Sequence, residues 1–251
     1  MEEKTEEKKE KQPKKKRIRC DITERDCRIL RFLWKWKLVS TAALAKKHFE
    51  KSDARTAYRR LLALEKDGYI TSVRLEERFH EVWSISKKGF LFIHEQLGDL
   101  ESQGYKSEHF HHDHIASAFH LGEWMMAQPE YTQNYSEQQL RRLPADLWPN
   151  WVPRSTLHRS DGYSLYFQDE KPVVVAFETE LSVKKQARYQ SVVAFYDAET
   201  TVQLVFWLVD SKITMNALLR AFEKFQMRER DKHHFLLLPD FQRHGWLAPF
   251  E

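Results

Sequence analysis

The feature that most restricts how this chain folds is a change of hydrophobic period at Gly68. Upstream, apolar residues recur at helical spacing in three consecutive stretches. The first holds Ile29, Leu30, Leu33 and Trp34 behind Thr23, a good N-cap with Asp26 three residues on. The second, AALAKKHF, opens at Ser40 or Thr41, and the third opens at Ser52 with Ala54, Ala57, Leu61 and Leu64 as its stripe. Gly68 supplies the C-terminal cap. Downstream, residues 69–75 and 81–86 alternate apolar and polar around a charged turn, which predicts a β-hairpin. A further helix is expected through Phe90, Leu91, Ile93 and Leu97. Three helices followed by a two-stranded hairpin is the order of a winged helix-turn-helix, here spanning residues 20–97.

Charge divides the chain in the same way. The total is +4, but residues 1–19 carry +4, residues 20–97 carry +5 and residues 98–251 carry −5. A basic front and an acidic back argue for two domains of different character. Residues 1–19 have almost no apolar side chain before Ile18, so the sequence predicts a disordered basic tail. No run of 18 uncharged apolar residues exists and the N-terminus has no apolar signal segment, so the expectation is a cytoplasmic protein without a membrane span. Cys20 and Cys27 are the only cysteines, too few for a disulfide framework or an all-thiolate zinc site.

After a polar linker at 98–108, residues 109–127 read as a helix, followed by strands at 137–143, 162–167 and 173–177. A helix at 184–196, a strand at 202–209, a helix at 215–225 and a strand at 235–238 complete an αβββαβαβ order. The fold class expected is therefore α+β: a winged helix-turn-helix, then an α/β domain over 109–251 with a mixed sheet. Pro144, Pro149 and Pro153 mark an irregular connection.

In a helix-turn-helix the third helix enters the major groove, so its solvent face should carry long cations and short polar groups. With the apolar stripe inward, Lys51, Ser52, Arg55, Thr56, Arg59 and Arg60 fall on the open side, and the hairpin adds Arg74, Arg78 and His80 where a wing meets DNA. Arg binds guanine bidentately or phosphate, and Ser or Thr serves either.

In the second half, Asp161 opens one strand and Glu178 and Glu180 end the next, where alternation puts the two glutamates on one side. Hairpin pairing of those strands would bring all three carboxylates to one sheet end. Converging carboxylates need a positive charge between them, and Mg²⁺ or Mn²⁺ held by Asp161 and Glu178 suits that place. Glu180 would complete such a site, and Lys184 and Lys185 follow closely enough to reach it. The alternative is that these are strand-end carboxylates paired with Arg154, Arg159 or Lys184. The tract His109, His111, His112 and His114 has no partner cluster at zinc-ligand spacing, and His114 is the member expected to point at the carboxylates.

Asp161 followed after sixteen residues by Glu178-Thr179-Glu180 resembles the PD-(D/E)xK nuclease motif, with Ser160 in place of its Pro and Glu180 in place of its Lys. Together with ITERDCRILRFLWKWKLVSTAALA, SISKKG, the His-led helix, SDG, FETE, Lys184 and Tyr189, the chain over about 21–225 resembles the plasmid replication-relaxation family. The resemblance implies a winged helix fused to a nuclease-like domain, and duplex DNA binding in plasmid or mobile-element replication, mobilisation or their regulation. Two alternatives stand beside that reading. One is a metal-dependent DNA endonuclease or nickase using Asp161, Glu178, Glu180 and Lys184. The other is a transcriptional regulator whose acidic C-terminal domain binds a protein partner or a second copy.

Overall fold

A computed structural model of the chain describes residues 21–50, 52–74, 81–121, 133–155, 157–244 and 249. The expected basic tail, Lys51, Arg78, His80, Cys20 and residues 122–127 of the expected helix lie outside these.

Helix α1 (Glu24–Trp36) begins as expected, on a capping box between Thr23 and Asp26. Strand β1 (Val39–Ser40) is followed by α2 (Thr41–His48), capped by Ser40, and by α3 (Ala54–Lys66). Asp53 rather than Ser52 caps α3, its carboxylate accepting from the Thr56 amide at 2.7 Å. Gly68 adopts φ 78° and the amides of Gly68 and Tyr69 bond Glu65 O and Leu64 O, a Schellman ending that only glycine takes without strain. Strands β2 (Ile70–Arg74) and β3 (Glu81–Ile85) pair antiparallel, and β1 joins the far side of β3 in a three-stranded sheet ordered β1-β3-β2. Helix α4 (Lys87–Ile93) follows. Ile29, Leu30 and Leu33 of α1, Ala57, Leu61 and Leu64 of α3, Trp83 and Phe90 share one core, which Leu100 and Tyr105 also join. The stretch expected as a linker is thus packed: Trp34 Nε1 donates to Gly104 O at 3.1 Å.

The second sheet is ordered β4-β5-β6-β7-β8, from β4 (Gln133–Ser136), β5 (Gly162–Gln168), β6 (Lys171–Glu180), β7 (Leu204–Val209) and β8 (His233–Leu237). The β4-β5-β6 pairs are antiparallel and the β6-β7-β8 pairs parallel, so the sheet is mixed. One face, with Val174, Ala176, Val205 and Trp207, packs on α7 (Gln186–Ala198) and α8 (Lys212–Lys224) through Tyr196, Leu218 and Phe222. The other, with Val175, Phe177 and Leu208, packs on α5 (Phe110–Leu121) and α9 (Leu238–His244) through Phe119 and Phe241.

One expected strand is a helix. Residues 137–143 form α6 (Glu137–Arg142), and the strand preceding it is β4. Ser136 and Gln139 make a second capping box, and Leu140 and Leu143 stand three apart, a helical spacing in a stretch too polar for a central strand. No described helix is long and apolar enough to cross a membrane.

Candidate functional site

On α3 Ala57, Leu61 and Leu64 of the expected stripe are fully buried while Ala54, in the first turn, is exposed; this turns Arg55, Thr56 and Arg59 to solvent, with Ser52 exposed just before the helix. Arg60 does not join them. Its Nε donates to Asp26 Oδ1 at 2.8 Å and its Nη2 to the Asp21 carbonyl at 2.8 Å, so it ties α3 to α1. Arg74 ends β2 opposite Glu81. The exposed face therefore presents two guanidiniums and one hydroxyl on the helix and a second hydroxyl just before it, with Tyr58 and Leu62 partly exposed beside them.

The strand-end carboxylates are separated by the sheet. Gly162 pairs with Phe177, which brings Asp161 beside Glu178 along the chain. Asp161 nevertheless turns to the α5 side: its Oδ2 accepts from the Thr179 amide at 2.7 Å and lies 3.5 Å from His112 Nε2. Glu178 turns to the α7 side, where its Oε1 meets His158 Nε2 at 2.7 Å and the Tyr196 hydroxyl. Glu180, on the same side as Glu178, pairs with Lys184 Nζ at 3.3 Å. Of the cations expected near the carboxylates, Lys184 does pair with one, whereas Arg154 Nη2 donates to the Trp148 carbonyl.

These residues do not fit a divalent cation. Asp161 Oδ2 and Glu178 Oε1 are each engaged by protein groups on opposite sides of the sheet, and no group of three or more His, Cys, Asp or Glu able to hold a metal occurs among the described residues. The positive charge between carboxylates comes instead from His112, not from His114. Burial works against charging that imidazole, but the Asp161 charge, with hydrogen bonds donated to both aspartates and to the Thr179 carbonyl, holds its pKa well above the ordinary range. Asp161 is lowered in turn, its burial outweighed by His112. Burial, with Glu178 and Asp161 nearby and Lys184 opposing, pushes Glu180 up to about 7.

From His112 the network continues into the N-terminal helices. His112 Nδ1 lies 3.7 Å from Asp113 Oδ1, and Lys37 Nζ reaches Asp113 Oδ1 at 3.2 Å and Glu137 Oε2 at 3.0 Å. Lys37 follows α1 with φ 61° and ψ −54°, and the Leu38 amide bonds the Trp36 carbonyl at 2.7 Å, a γ-turn of the rare, strained hand. A cavity of about 20 Å³, enough for one water, lies here among Lys35, Lys37, Asp113, Glu137, Gln138 and Asp161. Half-buried Lys35 lines it, with its pKa lowered by desolvation to about 8.

His158, Tyr196 and Lys37 carried no motif in the sequence, and His112 stood out only as one member of the histidine tract. His112 shares a helix face with buried Ile115 and Phe119, three and seven residues on, and that spacing was the available signal that it faces the sheet. Lys37 carried none, because its burial depends on a positive φ. Comparison with family models, with curated proteins and with solved structures gave no match.

Proposed function

We propose that this chain is a DNA-binding protein of the replication-relaxation type whose N-terminal elements act as a winged helix-turn-helix, with α3 entering the major groove. The observation carrying the reading is the exposed Arg55, Thr56 and Arg59 on a helix whose opposite face is fully buried. The element order α1-β1-α2-α3-β2-β3, with β1 paired to β3, supports it because that order sets a hairpin beside the third helix. Arg55 and Arg59 stand one turn apart and reach adjacent phosphates or base edges, and Thr56 lies between them. The second half is the nuclease-like domain of this reading, used as a scaffold: its carboxylates are satisfied by His112, His158 and Tyr196 rather than poised for hydrolysis.

The test is duplex binding measured against salt, for the native chain and for Arg55→Ala with Arg59→Ala. The double variant is expected to bind more weakly and to lose about 0.9 from the log–log salt slope for each phosphate contact removed. Unchanged affinity and slope would remove the reading.

A further inference from the structure

Residues 34–38 make a contact at every position with residues at least 70 further along the chain. Trp34 donates to Gly104 O, Lys35 Nζ to Asn134 O, and the Lys35 carbonyl accepts from Ser136 Oγ. The Trp36 ring meets His120 edge-on at 4.7 Å, and the Leu38 carbonyl accepts from Ser117 Oγ at 2.6 Å. Lys37 sits in the middle with its amine between Asp113 of α5 and Glu137 of α6. Its side chain is 8% exposed and its backbone is held in the left-handed γ-turn.

We infer that Lys37 is a latch that locks the N-terminal helices onto the five-stranded sheet as one rigid body. A lysine takes this backbone conformation only where its surroundings over-determine it, and here the over-determining contact is a buried amine matched to two carboxylates. Without the amine, Asp113 keeps only His112 and Ser107 and Glu137 keeps only Arg141, and the turn loses the buried charge contact made from its centre. The latch sits next to Val39–Ser40, which pairs with β3 on the side opposite β2, so the hairpin is tied to it directly. Asp113 also contacts His112, which binds Asp161, so the latch and the end of β6 belong to one contiguous chain of charges. The inference does not rest on DNA binding.

The experiment is hydrogen exchange of the full chain as the native protein, as Lys37→Ala and as Lys37→Gly. Glycine relieves the turn strain but removes the amine, which separates the two effects and secures a folded variant. The Glu137 amide, which donates to the Asp161 carbonyl, and the amides of Val39 and Ser40 are the reporters. Both variants are expected to exchange about tenfold or more faster at these reporters, with α8 unchanged, and the alanine variant to melt below the glycine variant. Native protection at the reporters in Lys37→Gly, or equal loss of protection throughout the chain, would overturn the latch.

Discussion

Asp26 serves two helices at once: its carboxylate accepts from the Thr23 amide at 2.7 Å to close the capping box of α1, and it receives the Arg60 guanidinium from α3. Asp26 is fully buried, so the pair sets the angle between the first and third helices from inside.

Asp26→Ala removes a cap and leaves Arg60 without its carboxylate. The expected cost is about 3 kcal/mol, read by urea unfolding, and Arg60→Ala should cost a similar amount by stranding Asp26. A loss under about 0.5 kcal/mol for both would place the pair among ordinary surface ion pairs.

The buried His158–Glu178–Tyr196 group predicts indifference to divalent metal. Millimolar Mg²⁺ or Mn²⁺ should leave the melting temperature unchanged, whereas Tyr196→Phe should lower stability by about 1–2 kcal/mol through the lost hydrogen bond. Saturable stabilisation by Mn²⁺, abolished in Glu178→Gln, would contradict this and restore the metal-site reading.

Stability should peak near pH 6.5. His48, His120 and His233 are depressed by burial to about 4, 3 and 3, so the unfolded chain binds protons that the fold refuses as pH falls below 6.5. Each such group removes up to about 1.4 kcal/mol per pH unit in that window. Glu180 opposes them between 4.5 and 7, since its raised pKa favours the fold at lower pH, but it is one group against three. Above 6.5 the contribution of His112, whose folded pKa is raised, is lost progressively with increasing pH. Urea unfolding from pH 4 to 9 checks this, and a stability maximum at pH 4.5 would refute it.

Gly162 is needed for close approach. A Cβ there would lie 2.4 Å from the His120 ring, which is buried, stacked on Phe177 and bonded through Nε2 to Ser164 Oγ at 2.7 Å. Gly162→Ala should destabilise by about 1–3 kcal/mol as an overpacked site. Native stability in that variant would mean that the ring can swing away.

The regular elements were legible because local signals agree with the tertiary outcome at those places. Thr23 and Asp26 mark α1, Gly68 ends α3, and VVVAF in β6 is buried on both faces. Residues 137–143 form a helix where a strand was expected, because the Ser136–Gln139 capping box starts one and Leu140 and Leu143 share its face. The candidate carboxylates were identified by position, but side-chain direction just before a strand is set by what satisfies it. Asp161 follows the Thr179 amide and His112, and no spacing rule carries that information. Likewise Arg60 shares its turn of α3 with Arg59, yet a buried partner 34 residues earlier turns it away from solvent.

That contrast gives the most direct test of the DNA-binding account. Duplex affinity should be measured at several salt concentrations for the native chain, for Arg55→Ala with Arg59→Ala, and for Arg60→Ala under conditions where all three are folded. The account predicts a shallower salt slope and weaker binding for the double variant, with Arg60→Ala keeping the native slope. Equal slopes for all three, or a loss confined to Arg60→Ala, would contradict it.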